Sequence, residues 1–225
     1  MASRLGQYFL VDKQILSQTI KAAELKKTDV ILEIGPGKGV LTREIAKRVK
    51  QVIAVELDKN LASKLKIPKV QVINQDILSY CIPHTAYKII GNIPYYITGK
   101  ILRKFAGFFC VFMLQKEVAE RICSKKGSIL SISVNSWAKP KIISFVPKTA
   151  FSPQPKVDSA IIKIIPRKKP YKINFNLVKK AFSQKRKQIG NALDKNLLQK
   201  AEINPKLRPE DLSLEQWQKL SLISG

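Results

Sequence analysis

Two hydrophobic patterns alternate along this chain. Short continuous apolar runs occur at Val30-Ile31-Leu32, Gln51-Val52-Ile53-Ala54-Val55-Glu56, Val70-Gln71-Val72-Ile73, Tyr87-Lys88-Ile89-Ile90-Gly91 and Phe108-Phe109-Cys110-Val111-Phe112-Met113-Leu114. Runs of this length and composition predict strands buried on both faces. Between them apolar residues recur at helical spacing: Leu41, Ile45 and Val49; Leu61 and Leu65 after Asp58; Ile101 and Leu102; and the stretch Gln115 to Ile122. Ahead of the first run, Asp12 is placed to cap a helix with Ile15, Ile20 and Leu25 on its inner face. Strands alternating with helices predict an α/β protein with a doubly wound, mostly parallel sheet.

The later chain is less regular. Residues 126–138 suit a helix through Leu130, Val134 and Trp137, and a strand through their Ile and Val content. Ile142–Val146 and Ala160–Ile165 read as two late strands, consistent with a hairpin. The basic segment Pro166-Arg167-Lys168-Lys169-Pro170 marks a domain boundary, which divides the chain into 1–168, a Rossmann-like domain with an N-terminal arm, and 169–225, a small basic helical domain. In the latter, Val178, Phe182, Ile189 and Leu193 form a helical stripe, and a last small helix includes a docked Trp217.

The first strand runs into Glu33-Ile34-Gly35-Pro36-Gly37-Lys38-Gly39. Glycines there permit positive φ and let a ligand lie against the backbone. The spacing is G-x-G-x-G, so the third glycine falls one position early for the dinucleotide fingerprint, and a nucleoside without a pyrophosphate suits the turn better. Glu56 follows about 20 residues later, the usual interval for an acid that binds a ribose diol. Asp76, just past the third strand, is placed to accept from an adenine amino group. Three polar groups at successive strand ends make coincidence a poor explanation.

Charge changes the picture of the partner. Lys+Arg number 41 against 16 Asp+Glu, a net charge of +25. Such an excess is self-repelling and is best matched by a polyanion, with nucleic acid ahead of an anionic membrane surface. No apolar run approaches the roughly 20 residues of a membrane span, and the start has no secretory h-region. Three scattered cysteines read as reduced cytoplasmic thiols, and one histidine with no C-x-x-C argues against structural zinc. Lys185, Arg186 and Lys187 are the candidate phosphate contacts of the C-terminal domain.

The sharpest chemical signal is Asn92-Ile93-Pro94-Tyr95, directly after the fourth strand. The X-Pro step holds Ile93 extended. The Asn92 amide oxygen and the Ile93 carbonyl can then both hold the hydrogens of one exocyclic amine. That localises the nitrogen lone pair toward a methyl donor, while Tyr95 offers a face for the base. Orientation and electrostatics suffice, with neither metal nor titrating base. Phe151, in the proline-stiffened loop Ala150–Ser159, is the candidate second aromatic for sandwiching a flipped base.

With these residues in hand, the chain resembles the rRNA adenine N6,N6-dimethyltransferases, and most of all their small-subunit branch. The likeness runs through the Gly6-to-Leu10 arm, Glu33–Gly39, Asn92–Tyr95, Phe112–Arg121, Phe151–Ser159 and a basic helix over Gln184–Leu193. It implies a class I S-adenosylmethionine-dependent methyltransferase domain with a small C-terminal helical domain. By the resemblance, S-adenosylmethionine is contacted by Tyr8, Leu10, Gly35 and Gly37. Glu56 takes its ribose, Asp76 its adenine, and Asn92 bridges cofactor and target. Ile93 and Pro94 complete the catalytic turn, and Tyr95 and Phe151 clamp the target base. The implied reaction is dimethylation of two adjacent adenosines near the 3′ end of small-subunit (16S) rRNA, in the immature 30S subunit, by a cytoplasmic monomer. The chain departs from the family pattern with Tyr8 where Asn or His is usual, and with Tyr96 where Asn is common. Three alternatives stay open: an erythromycin-resistance type enzyme of large-subunit (23S) rRNA, a non-catalytic rRNA-binding assembly factor, and a DNA adenine methyltransferase. The first ranks lower because Phe112–Arg121 resembles the small-subunit branch.

Overall fold

A computed structural model describes residues 7–82, 87–184 and 186–224; Gly6, His84 and Lys185 lie outside the described residues. Contacts divide the chain into two compact units, residues 1–119 with 140–165 and residues 120–139 with 166–225. The expected boundary at 168 is a single cut along the chain. The contacts end the first unit three residues earlier, at Ile165, and assign the excursion 120–139 to the second.

In the first unit the arm forms β1 (Phe9–Leu10), followed by α1 (Lys13–Ala22), β2 (Val30–Ile34), α2 (Val40–Ala46), β3 (Gln51–Glu56), α3 (Lys59–Lys64), β4 (Val70–Asn74) and β5 (Tyr87–Asn92). Then come α4 (Thr98–Lys104), β6 (Phe109–Gln115) and the start of α5 (Lys116–Cys123), a helix the division between the units cuts after Ala119. The cap expected at Asp12 forms, and a second forms at Asp58. Asp12 Oδ1 accepts from Gln14 N and Ile15 N at the start of α1, and Asp58 does the same from Asn60 N and Leu61 N for α3. The main sheet has the order β4-β3-β2-β5-β6, extended by two strands, β9 (Ser159–Pro166) and β7 (Ala138–Val146). β2 through β6 are mutually parallel and β9 is antiparallel to β6. The late strands therefore lie side by side, as their composition suggested. The short β8 (Phe151–Ser152) pairs with β1, matching Leu10 to Phe151.

This order fixes where a ligand can sit. From β2 the chain winds outward through β3 to β4, then crosses back to lay β5 on the other side of β2. Strand order reverses between β2 and β5, and a crevice opens past their carboxyl ends. The two strands are in register, Ile34 opposite Gly91, and a Cβ on Gly91 would lie 2.7 Å from the Ile34 carbonyl oxygen. Ile31, Ile45, Val49, Val52, Ile90 and Val111 are buried together in the hydrophobic core of this unit. Fully burying each such side chain contributes about 1.5–3 kcal/mol.

The second unit is helical. It holds α6 (Ile129–Trp137), α7 (Phe175–Phe182), α8 (Lys195–Lys200) and α9 (Leu214–Ser224). The ambiguous residues 126–138 are therefore mostly helix. A capping box decides it: Ser131 N donates to Ser128 Oγ, and Ser128 N to Ser131 Oγ. Trp217 is fully buried and stacks on Phe182, with ring centroids 6.3 Å apart. Val178, Ile189 and Leu193 are buried as the stripe required, but not along one helix. α7 ends at Phe182, and Ile189–Asn191 is a separate 3-10 turn, so the expected basic helix over 184–193 is corrected to a turn. The cationic run carries no acid within a turn to relieve its repulsion. Gly190 also lies against Pro205, where a Cβ would meet the Pro205 Cβ at 2.8 Å. Arg186 and Lys187 are exposed. Among the described residues no helix is long and apolar enough to cross a membrane, and no group of three or more His, Cys, Asp or Glu could hold a metal ion.

Candidate active site

A cavity of about 370 Å³ occupies the crevice at the carboxyl ends of β2, β3 and β5. That is large enough for a small-molecule ligand. Tyr8, Leu10, Gly35, Gly37, Glu56 and Asp76 line it, together with all four residues Asn92, Ile93, Pro94 and Tyr95. Its walls carry three acids, Glu33, Glu56 and Asp76, and one lysine, Lys38. In a chain where cations outnumber acids 41 to 16, that inversion points to a ligand bearing positive charge or amines.

The glycine turn closes the cavity beside β3. Gly35 has φ +63°, and a Cβ there would meet nothing within 4 Å, so a side chain would be strained and would project into open space. Gly37, at φ +56°, is needed for a different reason. Its Cβ would meet the Phe9 ring at 3.0 Å, so the glycine lets the arm settle on the turn. Gly35 N donates to Val55 O at 2.9 Å, tying the turn to the next strand.

Glu56 is 5% exposed and well partnered. Its Oε2 accepts from Gly37 N and its Oε1 from Asp58 N, both at 3.0 Å. Each oxygen keeps a further lone pair, the arrangement a vicinal diol requires. Asp76 is exposed at the rim, with Oδ1 accepting from Leu78 N at 2.9 Å. Glu33 was not picked out from sequence. It is 1% exposed, and Oε2 has no hydrogen-bond partner among the described residues. Burial pushes its carboxyl up to about 8; the Thr42 hydroxyl opposes the shift and Glu56 adds to it. Thr42 is close enough to be felt, yet its buried Oγ1 is not in hydrogen-bond geometry with the acid. The sequence signal was available, because Glu33 interrupts an otherwise apolar strand one residue before its end.

At the other end of the cavity, Asn92 Nδ2 donates to Tyr8 O at 2.9 Å. One of the two amide N–H donors is thereby engaged by the arm, which fixes the side chain and leaves Oδ1 as an acceptor for a ligand. This contact uses the Tyr8 backbone, so Tyr in place of the family's Asn does not disturb it. Ile93 is 1% exposed and its N–H donates to Met113 O at 2.9 Å, which anchors the turn to β6. Tyr95 is held by its hydroxyl, 2.8 Å from Ser159 Oγ, and its ring lies 6.0 Å from that of Tyr8, tilted by 31°. Burial pushes the Tyr95 phenol up, against the pull of the Ser159 bond, so it stays neutral.

Phe151 does not join this group. It is 3% exposed, belongs to the hydrophobic core and is not among the cavity-lining residues. The strand pair that includes it, with Val11 N donating to Ala150 O at 2.9 Å, pins the arm instead. Its ring would have to leave the core to sandwich a base. The RNA contacts expected from Arg186 and Lys187 belong to the second unit, and Lys185 lies outside the described residues.

An acid-walled crevice at the switch point of a Rossmann-like sheet, facing a fixed asparagine amide, is the construction of a class I S-adenosylmethionine-dependent methyltransferase acting on an amine. The chain matches the family described as ribosomal RNA adenine dimethylase over residues 1–223, and it belongs to that family. It is an S-adenosylmethionine-dependent rRNA adenine dimethyltransferase. It is 39% identical to ribosomal RNA small subunit methyltransferase A of Dehalococcoides mccartyi, over 97% of this chain and 86% of that one. It is 38% identical to the protein of the same name from Caldanaerobacter subterraneus, over 96% and 94%. Among solved structures, a dimethyladenosine transferase from Plasmodium falciparum superposes with a TM-score of 0.80 at 27% identity, covering 96% of each chain. The 23S rRNA methyltransferase ErmE superposes with 0.79 at 27% identity, covering 95% of this chain and 98% of its own.

Proposed function

We propose that this enzyme dimethylates N6 of two adjacent adenosines near the 3′ end of small-subunit rRNA, within the immature subunit. The observation that carries the reading is Asn92, set at the edge of an acid-lined cavity and fixed there by the bond its Nδ2 donates to Tyr8 O. When bound, S-adenosylmethionine supplies an electrophilic methyl group. The residues of the chain do the rest. Glu56 accepts from the ribose hydroxyls, Asp76 from the adenine amine, and the Gly35 backbone lets the ligand approach closely. Asn92 Oδ1 and the Ile93 carbonyl hold the two N6 hydrogens of the target, turning its lone pair toward the methyl group. Tyr95, fixed through Ser159, gives the base a face to lie on. After transfer the nitrogen has one proton too many, and it leaves to solvent through the open mouth of the cavity, since both acceptors at the amine, Asn92 Oδ1 and the Ile93 carbonyl, are neutral groups. The second unit, with Arg186 and Lys187 exposed, grips rRNA phosphates. Replacing both by alanine should flatten the log–log salt dependence of rRNA binding by roughly 1.5 units.

The test is methyl transfer from labelled donor to purified immature small and large subunits, with the modified positions mapped by primer extension. Label confined to paired adenosines of the small subunit supports the proposal. The likeness to ErmE favours the second reading, and label confined to one large-subunit adenine would establish it. No label in either RNA would leave a binding role, and label in duplex DNA a different substrate.

A further inference from the structure

Tyr96 stands at the cavity mouth. It lines the cavity yet is 71% exposed, the most exposed of the large hydrophobic side chains described. Its neighbour Tyr95 is turned in and tied to Ser159. Tyr96 has the opposite environment: an aromatic ring at the rim, mostly in water. It begins a cationic surface. In α4 the buried residues are Thr98, Ile101 and Leu102, whereas Lys100 and Arg103 are exposed and the helix contains no acid.

The chemistry of the site says what could use such a ring. For N6 to reach Asn92 the target adenine must leave its stack, and that uncovers one face of the adjoining base. An aromatic ring at the rim replaces the lost stacking partner, and cations one and two turns on take the adjoining phosphates. We propose that Tyr96, with Lys100 and Arg103, is the docking site for the single-stranded nucleotide next to the target adenosine. Tyr96 stacks on its base, and the two cations hold its phosphate backbone. The inference rests on the adenine-methylation reading above and adds the part of the substrate that does not react.

Two readouts test it. The first is steady-state transfer to rRNA by the wild type and by Tyr96→Ala, Tyr96→Phe and Tyr96→Trp. Tyr96→Ala should raise KM for the RNA about tenfold, with turnover at saturating RNA and donor affinity little changed; Phe and Trp should retain a KM near that of the wild type. A Tyr96→Ala KM equal to the wild type overturns the proposal, and so does a Phe variant as poor as Ala, since that would assign the effect to the hydroxyl. The second readout needs no catalysis. An rRNA fragment with 2-aminopurine beside the target should lose fluorescence on binding the wild type and the Phe variant, but not the Ala variant. Equal quenching by all three overturns the stacking role even if methyl transfer is normal. Selective quenching with no transfer would uphold the docking site while removing the proposed reaction. The double variant Lys100→Glu, Arg103→Glu should reduce the salt slope of binding by roughly 1.5 units, and an unchanged slope removes the phosphate contacts.

Discussion

The two ends of the cavity are wired differently. At the donor end the bonds are short in sequence: Glu56 is held by Gly37 N and Asp58 N, 19 and 2 positions away. At the acceptor end they are long: Asn92 bonds Tyr8, 84 positions away, and Tyr95 bonds Ser159, 64 away. One end is largely made within a single strand–turn–helix–strand unit. The other exists only when the arm has been laid against the end of β5 and β9 has been paired with β6. The contrast predicts that damage at the donor end appears in donor affinity or local stability. Damage at the acceptor end should appear in turnover, even when the altered residue never meets the donor.

The largest effect belongs to Glu33, an acid in the donor wall without the partners Glu56 has. Its folded value is about 8 against 4.5 in the unfolded chain. Below pH 4.5 both states hold the proton and burial carries no ionisation cost. Between 4.5 and 8 the unfolded chain releases its proton and the folded one does not, so stability falls as pH rises through that window. Glu33→Gln should flatten this fall and be more stable than wild type at pH 8 by several kcal/mol, since each pKa unit is worth about 1.4 kcal/mol. Urea midpoints at pH 5 and pH 8 measure it; parallel shifts in the two proteins would mean the acid is already ionised when folded. Next in size is Asn92→Ala. By analogy with losing one preorganised polar group in other active sites, turnover should fall about 100- to 1,000-fold, or about 2.7–4 kcal/mol. Single-turnover transfer with donor affinity measured alongside would separate the ends: a collapse of affinity with turnover intact would contradict the split.

Glu56→Ala should act in the opposite way. It removes a charged acceptor from the donor and leaves the acceptor end untouched. Donor affinity should weaken by about 1.5–3 kcal/mol in calorimetry, while turnover at saturating donor stays near the wild type. Gly37 N and Asp58 N also lose their acceptor, so part of the measured change will be local stability, which a melting curve without donor isolates.

The same contrast explains what could be read from the chain. That Gly35, Glu56, Asp76 and Asn92 line one crevice was legible because each follows an apolar run, and a parallel sheet brings the carboxyl ends of its strands to one edge. Asp12 as a cap was legible for a similar reason, since a cap is a local device. Phe151 was not. An aromatic in a proline-rich loop reads alike whether its ring meets a ligand or the core, and its pairing with Leu10 joins distant parts of the chain. The apolar stripe of 178–193 named Val178, Ile189 and Leu193, which are buried, but could not show that the helix stops at Phe182 and that Ile189–Asn191 is a separate turn. Residues 126–138 were decided by Ser128 and Ser131, a signal weaker than a Ser–Glu box and easily passed over.

The smallest effect is the most discriminating. Ser159 is fully buried, and its hydroxyl serves Tyr95 from across the sheet. Ser159→Ala should cost about 0.5–1.5 kcal/mol in denaturant unfolding, the net worth of one hydrogen bond. Tyr95→Phe should cost about as much, and the double variant less than the two losses added, because neither hydroxyl is then left unpaired. The activity readout decides the larger point. If the acceptor end depends on distant anchors, Ser159→Ala lowers turnover several-fold while donor affinity stays put. If donor affinity falls instead, the two ends are not separable, and the tyrosine is better described as part of the donor wall.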